Sequence, residues 1–419
     1  MKNHPATLFA LILPYGASFG YVSVTFPYIA THRGGLSAEQ AGSVVAAAFG
    51  IHAIKFLWAP IVDAVWTKRA WYLVALLLVV AGTIASSAMP IDVPRLPVLT
   101  AVILASQLGL TLMGMACESF LAAMPDDQKG RASGFYQAGA VGGVGLGGGA
   151  ALWMSEQFSA GWMVGATVGV AMIACGVPVF RLIEPPALER SVIRALRALG
   201  RDLRQIATSR IGLVGLVVCL SPVGAGAATS YFGPNADAWH ASARVVALVT
   251  GVVGGVIGAG GALAGGWLAD RLDRRHAYAL GGGLTAVTGI VIALAPHTPS
   301  AYVVLTLAYT FCNGAAAAAF TSLVLETIGH GAVATKYNIF ASVANFAVTY
   351  SIRIDGRAQT HWGANGMFLT DAALTFVGIA VMLTVLRVLR PQSSVTSASK
   401  SGNDANASNE SPTAPAPRS

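Results

Sequence analysis

Residues 98–124, from Val98 to Met124, read VLTAVILASQLGLTLMGMACESFLAAM, an apolar stretch with a single charge, Glu118. A helix rises ~1.5 Å per residue, so roughly 20 such residues cross the hydrocarbon core of a bilayer. Comparable runs occur at 7–30, 39–62, 71–89, 131–155, 162–181, 210–230, 243–269, 276–295, 300–326, 335–355 and 366–389. Numbered in chain order these are spans 1 to 12, with residues 98–124 as span 4. A mean hydropathy of +0.64, 55% hydrophobic residues and 11% charged residues leave too few polar groups to cover a soluble surface. Membrane strands alternate over ~10 residues, and these runs are twice as long and continuously apolar. The expected fold is all-α: a polytopic membrane protein of twelve transmembrane helices in two six-helix bundles.

The net charge of +8 is informative through its distribution. With the N-terminus inside, 20 of the 26 Lys and Arg fall on inner segments, five fall on outer ones, and Lys55 lies within span 2. That asymmetry is the positive-inside pattern and predicts cytoplasmic termini. The excess orients the chain in a membrane, so no nucleic-acid partner is expected. The first apolar run follows Lys2 but is too long for a signal core, and is retained as span 1. Cys117, Cys175, Cys219 and Cys312 all fall inside spans without metal-ligand spacing and read as packing residues. Neither a metal nor a cofactor is expected.

The organisation is an N-terminal bundle (1–181), a basic linker (182–209), a C-terminal bundle (210–390) and a tail (391–419) rich in Ser, Asn, Pro, Thr and Ala that reads as disordered. The tail holds an Asn406-Ala407-Ser408 sequon, which an inner location would leave unglycosylated. In the linker, which opens with Glu184, Pro185 and Pro186, Arg190, Arg194, Arg197, Arg201 and Arg204 share one helical face. They suit an amphipathic helix on the inner leaflet or a solvated connector. The two bundles repeat. Span 2 ends with Ala59-Pro60, Asp63 and then Lys68 and Arg69, and span 8 ends with Asp270-Arg271 and then Arg274 and Arg275. Lys129–Gly143 likewise matches 331–345. Six plus six helices with repeated inner loops is how many secondary transporters are built.

The loop Gly266 to Arg275, GWLADRLDRR, resembles the signature loop of the major facilitator superfamily, with Asp273 where that pattern often has Gly. The stretches Lys55 to Asp63 (KFLWAPIVD) and Lys129 to Gly149 (KGRASGFYQAGAVGGVGLGGG) resemble its muropeptide permease branch, the peptide and acetyl-CoA transporters. In length the chain is similar to the siderophore-importing members. The resemblance implies a monomeric bacterial inner-membrane permease whose partners are the bilayer and a small solute, with muropeptide-type permeases and drug or metabolite exporters as alternatives. It also implies an inner gate that Asp270, with Arg271 and Arg275, locks through ion pairs and helix-end contacts, mirrored by Asp63 with Lys68 and Arg69. Ala64 stands where the second half has Arg271.

Several polar residues interrupt the apolar spans, where they are costly unless they face a cavity or a partner. In span 2, Lys55 follows His52 on the same face; it either meets anionic substrate groups or is paired or snorkelling. In span 4, Gln107, Thr111, Gly114 and Glu118 share a face. Glu118, with His52, is the candidate for proton coupling; the alternative is a carboxylate held permanently by Lys55 or Arg131. Asn338, Ser342, Asn345 and Thr349 form a matching stripe on span 11, lining the cavity or bonding neighbouring helices. Tyr15, Ser18, Tyr136, Gln137 and Asn313 complete the expected substrate cavity. Arg353 and Asp371, near Asp355 and Arg357, are an outer gate or an exposed rim.

Spans 5 and 8 are glycine-rich, which allows helices to approach closely and slide. Gly143, Gly145 and Gly148 match GxGxxG, but a membrane span offers no βαβ unit to make that fingerprint meaningful. No zinc motif or nucleophile triad accompanies the short inner loops, so an enzyme is not expected.

Overall fold

The computed structural model describes residues 4–184, 191–328 and 333–388, and all its regular elements are helical. The disordered-tail reading and Pro185 to Arg190 of the linker lie outside the described residues. Among the described residues, nine helices are long and apolar enough to cross a membrane, and the last of these, Thr335–Val388, contains both spans 11 and 12. The break between them is Gly363, at φ 70°, a conformation costly to any residue with a Cβ. Span 5 is the helix Lys129–Gln157, whose glycines lower its hydropathy, and span 7 is too broken to qualify as one helix. With these two, the twelve expected spans are present.

Proline and glycine decide where the helices deviate. Span 2 begins at Ala38 behind a capping box in which Ser37 Oγ accepts from the Gln40 N–H and Gln40 Oε1 accepts from the Ser37 N–H. It runs as an α-helix to Ile54, tightens to a 3₁₀ turn at Lys55–Leu57 and resumes as Ala59–Ala64. Pro60 has no N–H and its ring conflicts with the carbonyl four residues earlier, which accounts for the break and places Lys55 in it. Span 7 departs from the continuous helix expected over 210–230: it stops at Leu220, and Gly224 (φ 57°) and Gly226 (φ 70°) carry an irregular turn before short helical segments continue to Trp239. Span 1 carries a π-helical turn at Tyr21–Thr25, where the Thr25 hydroxyl donates to the Gly148 carbonyl of span 5 at 2.8 Å.

The apolar interior of the first bundle, with Leu8, Leu11, Tyr72 and Phe120, runs on into Leu325, Tyr337 and Phe340 of the second, which has a further core of Phe232, Tyr309 and Phe368. Leu77, Val170, Val304 and Val377 point outward, a surface that hydrocarbon suits and water does not. The linker helix Val192–Thr208 carries its arginines along one side and meets span 7 at an 80° bend.

The halves meet along spans 5 and 8. A Cβ on Gly145 would lie 2.8 Å from the Gly255 Cα, and one on Gly130 would lie 2.4 Å from Asp270 Oδ1 and 2.6 Å from the Gly266 carbonyl. Only bare backbone permits this approach.

Candidate functional site

The span 4 stripe turns into the protein. Gln107 and Glu118 are buried at 0% and 2% exposure, and Gly114 leaves room for the Tyr15 ring, 3.4 Å from where a Cβ would stand. Glu118 is the centre. Its Oε1 accepts from Lys55 Nζ at 3.4 Å and from the Tyr136 hydroxyl at 3.3 Å, and its Oε2 accepts from Asn338 Nδ2 at 2.7 Å. Lys55 comes from span 2 and Tyr136 from span 5, whereas Asn338 comes from span 11 of the other bundle. One carboxylate therefore ties the two halves together in a region with almost no water contact. A buried ion pair of this kind contributes little net stability, but removing one partner strands the other charge.

A second chain of polar groups adjoins it. His52 Nε2 lies 3.0 Å from Gln107 Oε1 and its Nδ1 lies 3.2 Å from the Tyr15 hydroxyl. These distances are satisfied together when the proton sits on Nε2, donated to Gln107, while Nδ1 accepts from Tyr15. Gln107 Nε2 is buried and has no hydrogen-bond partner among the described residues, and the same holds for the hydroxyls of Ser18 and Ser342. Gln137 Nε2 donates to Thr321 Oγ1 of span 10 at 2.8 Å, a second tie between the bundles.

Other expected cavity residues lie elsewhere. Thr111 Oγ1 accepts from Trp58 Nε1 at 3.1 Å and donates to Leu108, so it packs span 2 onto span 4. Asn313 Nδ2 donates to the Gly224 carbonyl at 2.9 Å and holds the broken turn of span 7. The span 11 stripe divides: Asn338 and Ser342 are buried at the centre, while Asn345 and Thr349 are exposed. Asn345 borders a cavity of about 200 Å³ with Gly224, Tyr278 and Asn313. A wider cleft of about 580 Å³ opens between spans 1 and 2, lined by Ser23, Tyr28, Thr31, Val45 and Phe49.

At the face of the basic loops two mirrored junctions join the halves, and Arg274 Nη2 also donates across them to the Asp126 carbonyl at 2.6 Å. Asp270, at the end of span 8, accepts the Gly130 N–H at 2.6 Å, the Arg131 N–H at 2.8 Å and Arg131 Nε at 3.0 Å. It caps the N-terminus of span 5, where helical N–H groups have no partner of their own. Asp63, at the end of span 2, accepts the Thr335 N–H at 2.9 Å and the Thr335 hydroxyl at 2.8 Å, capping span 11, and its other oxygen pairs with Lys68 at 3.2 Å. Of the expected gate, Asp63 pairs with Lys68 and Asp270 makes a helix-end contact, but the ion pair of Asp270 among the described residues is with Arg131, while Arg271 stacks over the Trp267 ring at 4.1 Å and the Arg275 backbone N–H donates to Asp273. The Asp270 partners are across the interface because its own helix points it at a neighbouring helix terminus. Arg69 donates to the Leu182 carbonyl at 2.8 Å, and the backbone N–H groups of Lys68 and Arg69 bond Glu184, which fastens the linker to span 3.

The expected outer gate is also corrected. Arg353 is exposed and forms no ion pair among the described residues, whereas Asp371 is buried at 3% exposure and accepts from the Tyr309 hydroxyl at 2.8 Å. Their helices turn the two side chains in different directions. Sequence reasoning missed Trp58, Tyr309, Thr321 and Thr335, whose isolated polar atoms on apolar helices leave no stripe.

A family profile described as Major Facilitator Superfamily matches residues 8–351 and 214–417. The chain belongs to that superfamily. It is thus a multi-pass membrane transporter and not an enzyme. No curated protein matches the sequence. Among solved structures, it resembles the proton:xylose symporter XylE bound to 6-bromo-6-deoxy-D-glucose at 14% identity and a TM-score of 0.68, over 91% of this chain and 94% of that one. A variant of the E. coli fucose:proton symporter FucP is similar at 16% identity and a TM-score of 0.69, over 92% and 98% of the two chains. The human organic anion transporter MFSD10 (TETRAN) is similar at 15% identity and a TM-score of 0.68, over 90% and 98%. At these identities the likeness speaks for the fold.

Proposed function

We propose that this superfamily member is a proton-coupled importer working by alternating access, with Glu118 as the proton carrier and Lys55 as the substrate-facing cation. The observation that carries the reading is the Glu118 carboxylate, held by Lys55 and Tyr136 of one bundle and Asn338 of the other. Protonation of Glu118 removes its attraction for Lys55 and frees the ammonium for an anionic solute. It also weakens the acceptor that Asn338 uses, so the tie between the halves responds to the same proton. His52, Gln107 and Tyr15 supply a polar path beside it. Two structurally similar proteins carry proton symporter in their names.

The closed junctions at Asp63 and Asp270 and the open cleft between spans 1 and 2 fit an outward-facing state, with the basic loops and both termini in the cytoplasm of a bacterium and the chain acting as a monomer in its inner membrane. Siderophores or related anionic compounds are the proposed substrate class, on the resemblance of Lys55 to Asp63 and Lys129 to Gly149 to the muropeptide permease branch. The test is uptake by cells lacking the chromosomal gene, grown on scarce iron, carrying wild-type or Glu118→Gln protein at a series of external pH values. Wild-type uptake should rise on acidification, and the variant should lose accumulation and pH response while retaining solute exchange. Unaltered accumulation and pH response in the variant would remove Glu118 from the mechanism. Iron-limited growth that is indifferent to the gene would remove the siderophore assignment.

A further inference from the structure

Far along span 11 from the Glu118 cluster, the C-terminal bundle buries two more carboxylates. Asp355 is 0% exposed and Asp371 of span 12 is 3% exposed. The Tyr309 hydroxyl of span 10 donates to Asp371 Oδ2 at 2.8 Å. Asp355 faces Asp371, close enough for the two side chains to interact directly. Neither oxygen of Asp355 has a hydrogen-bond partner among the described residues. The Ser351 hydroxyl, one turn earlier on the same face, is buried and equally without a partner.

No Lys, Arg or His among the described residues forms an ion pair with either aspartate. Arg353 and Arg357 flank Asp355 in sequence, but both side chains are exposed. Tyr231, from the short turn before Phe232, spends its hydroxyl on the Ile352 carbonyl at 2.6 Å. Span 9 packs on span 12 with Gly289 against Phe368 and Ala372, and its residues 279–296 include no titratable side chain. His297, after that span, reaches Asn365 at the exposed rim. Phe232 and Phe368 pack with Tyr309 in one apolar cluster that includes Ala358, and Gln359, one turn beyond Asp355, exchanges hydrogen bonds with Asn235.

Two adjacent carboxylates in such a place repel each other and both lack hydration, and one oxygen pair lacks a donor. A single proton resolves all three problems. It removes one charge, and it supplies the hydrogen that lets one carboxyl donate to the other. We propose that Asp355 and Asp371 share one bound proton, making a second protonation site in the C-terminal bundle, separate from Glu118. The pair then carries one negative charge, stabilised by Tyr309, and clips span 11 to span 12. Loss of that proton leaves two unscreened charges and loosens the clip. The site stands on its own geometry and does not depend on Glu118 being the coupling residue.

The test is infrared spectroscopy and thermal melting of the purified full-length protein from mildly acidic to alkaline buffer. The wild type should show a protonated-carboxyl C=O band at neutral pH that Asp355→Asn and Asp371→Asn each remove and Glu118→Gln leaves in place. Loss of the shared proton leaves two adjacent charges in the folded protein, so wild-type melting temperature should fall as pH rises. Asp355→Asn, whose carboxamide donates permanently to Asp371, should flatten that fall. Should one variant fail to purify, the other carries the band test. A band retained in both asparagine variants, a parallel fall in wild type and Asp355→Asn, or melting raised by sodium but not choline chloride in an Asp355-dependent way would overturn the proposal, the last by making the site a sodium site.

Discussion

Lys55 and Glu118 hold opposite charges 3.4 Å apart, with Glu118 at 2% exposure, so each is the other's main compensation. Lys55→Met should therefore destabilise the protein by about 3 to 5 kcal/mol wherever Glu118 remains ionised. Adding Glu118→Gln to Lys55→Met should recover most of the loss, because the carboxamide still accepts from Tyr136 and leaves no stranded charge. Melting curves of the two single variants and the double variant measure this coupling, and strictly additive losses would show that the pair does not interact. At this scale the sequence was partly legible. Glu118 and Lys55 stood out because a charge inside an apolar run has to be explained. The partner of Asp270 did not, since the helix end it caps lies 140 positions away and backbone N–H groups have no signature. Asp355 looked like part of a rim because Arg353 and Arg357 surround it in sequence, whereas helical geometry turns it inward and the arginines outward.

Helices were legible by their apolar length, and their breaks by residue chemistry to differing degrees. The Pro60 break in span 2 follows from a missing donor, and the turn in span 7 follows from Gly224 and Gly226 at positive φ. Composition alone did not separate these from the prolines and glycines that sit in helices without breaking them, such as Pro14 of span 1. The glycines of spans 5 and 8 announced a close helix contact, and their contacts specify which of them matter. Gly130→Ala places a methyl 2.4 Å from Asp270 Oδ1 and 2.6 Å from the Gly266 carbonyl. The Gly266 carbonyl and the Asp270 N–H are backbone and leave little room to relax, and overpacking of this kind costs about 1 to 3 kcal/mol. The cost falls on the joined state of the halves, since the atoms that methyl meets, in Gly266 and Asp270, belong to the opposite half. Gly130→Ala should therefore purify as a folded protein with uptake reduced several-fold, whereas Gly42→Ala, where a Cβ meets nothing within 4 Å, should transport normally. Equal transport by the two variants, measured at matched expression, would contradict this account of the interface.

For the molecule as a whole, the repeat seen in the two inner loops becomes a structural symmetry. Span 2 caps span 11 through Asp63, and span 8 caps span 5 through Asp270, so each bundle closes one terminus of the other. The sequence showed that the loops correspond, but their geometry required the fold, because capping depends on the relative placement of the two bundles. Both junctions lie at one face, and the polar cluster around Glu118 sits deeper between the halves. Rocking about that cluster requires both caps to break, so their loss should favour the state open at the basic face. The most direct measurement is the distance between spin labels at Asp127 and Leu272, exposed positions in the loops of opposite halves, with the four native cysteines replaced. With the caps intact, the distribution should be dominated by one short separation, and Asp63→Asn with Asp270→Asn should add a longer one. Identical distributions in the two proteins would contradict the claim that the paired aspartate caps hold the halves closed.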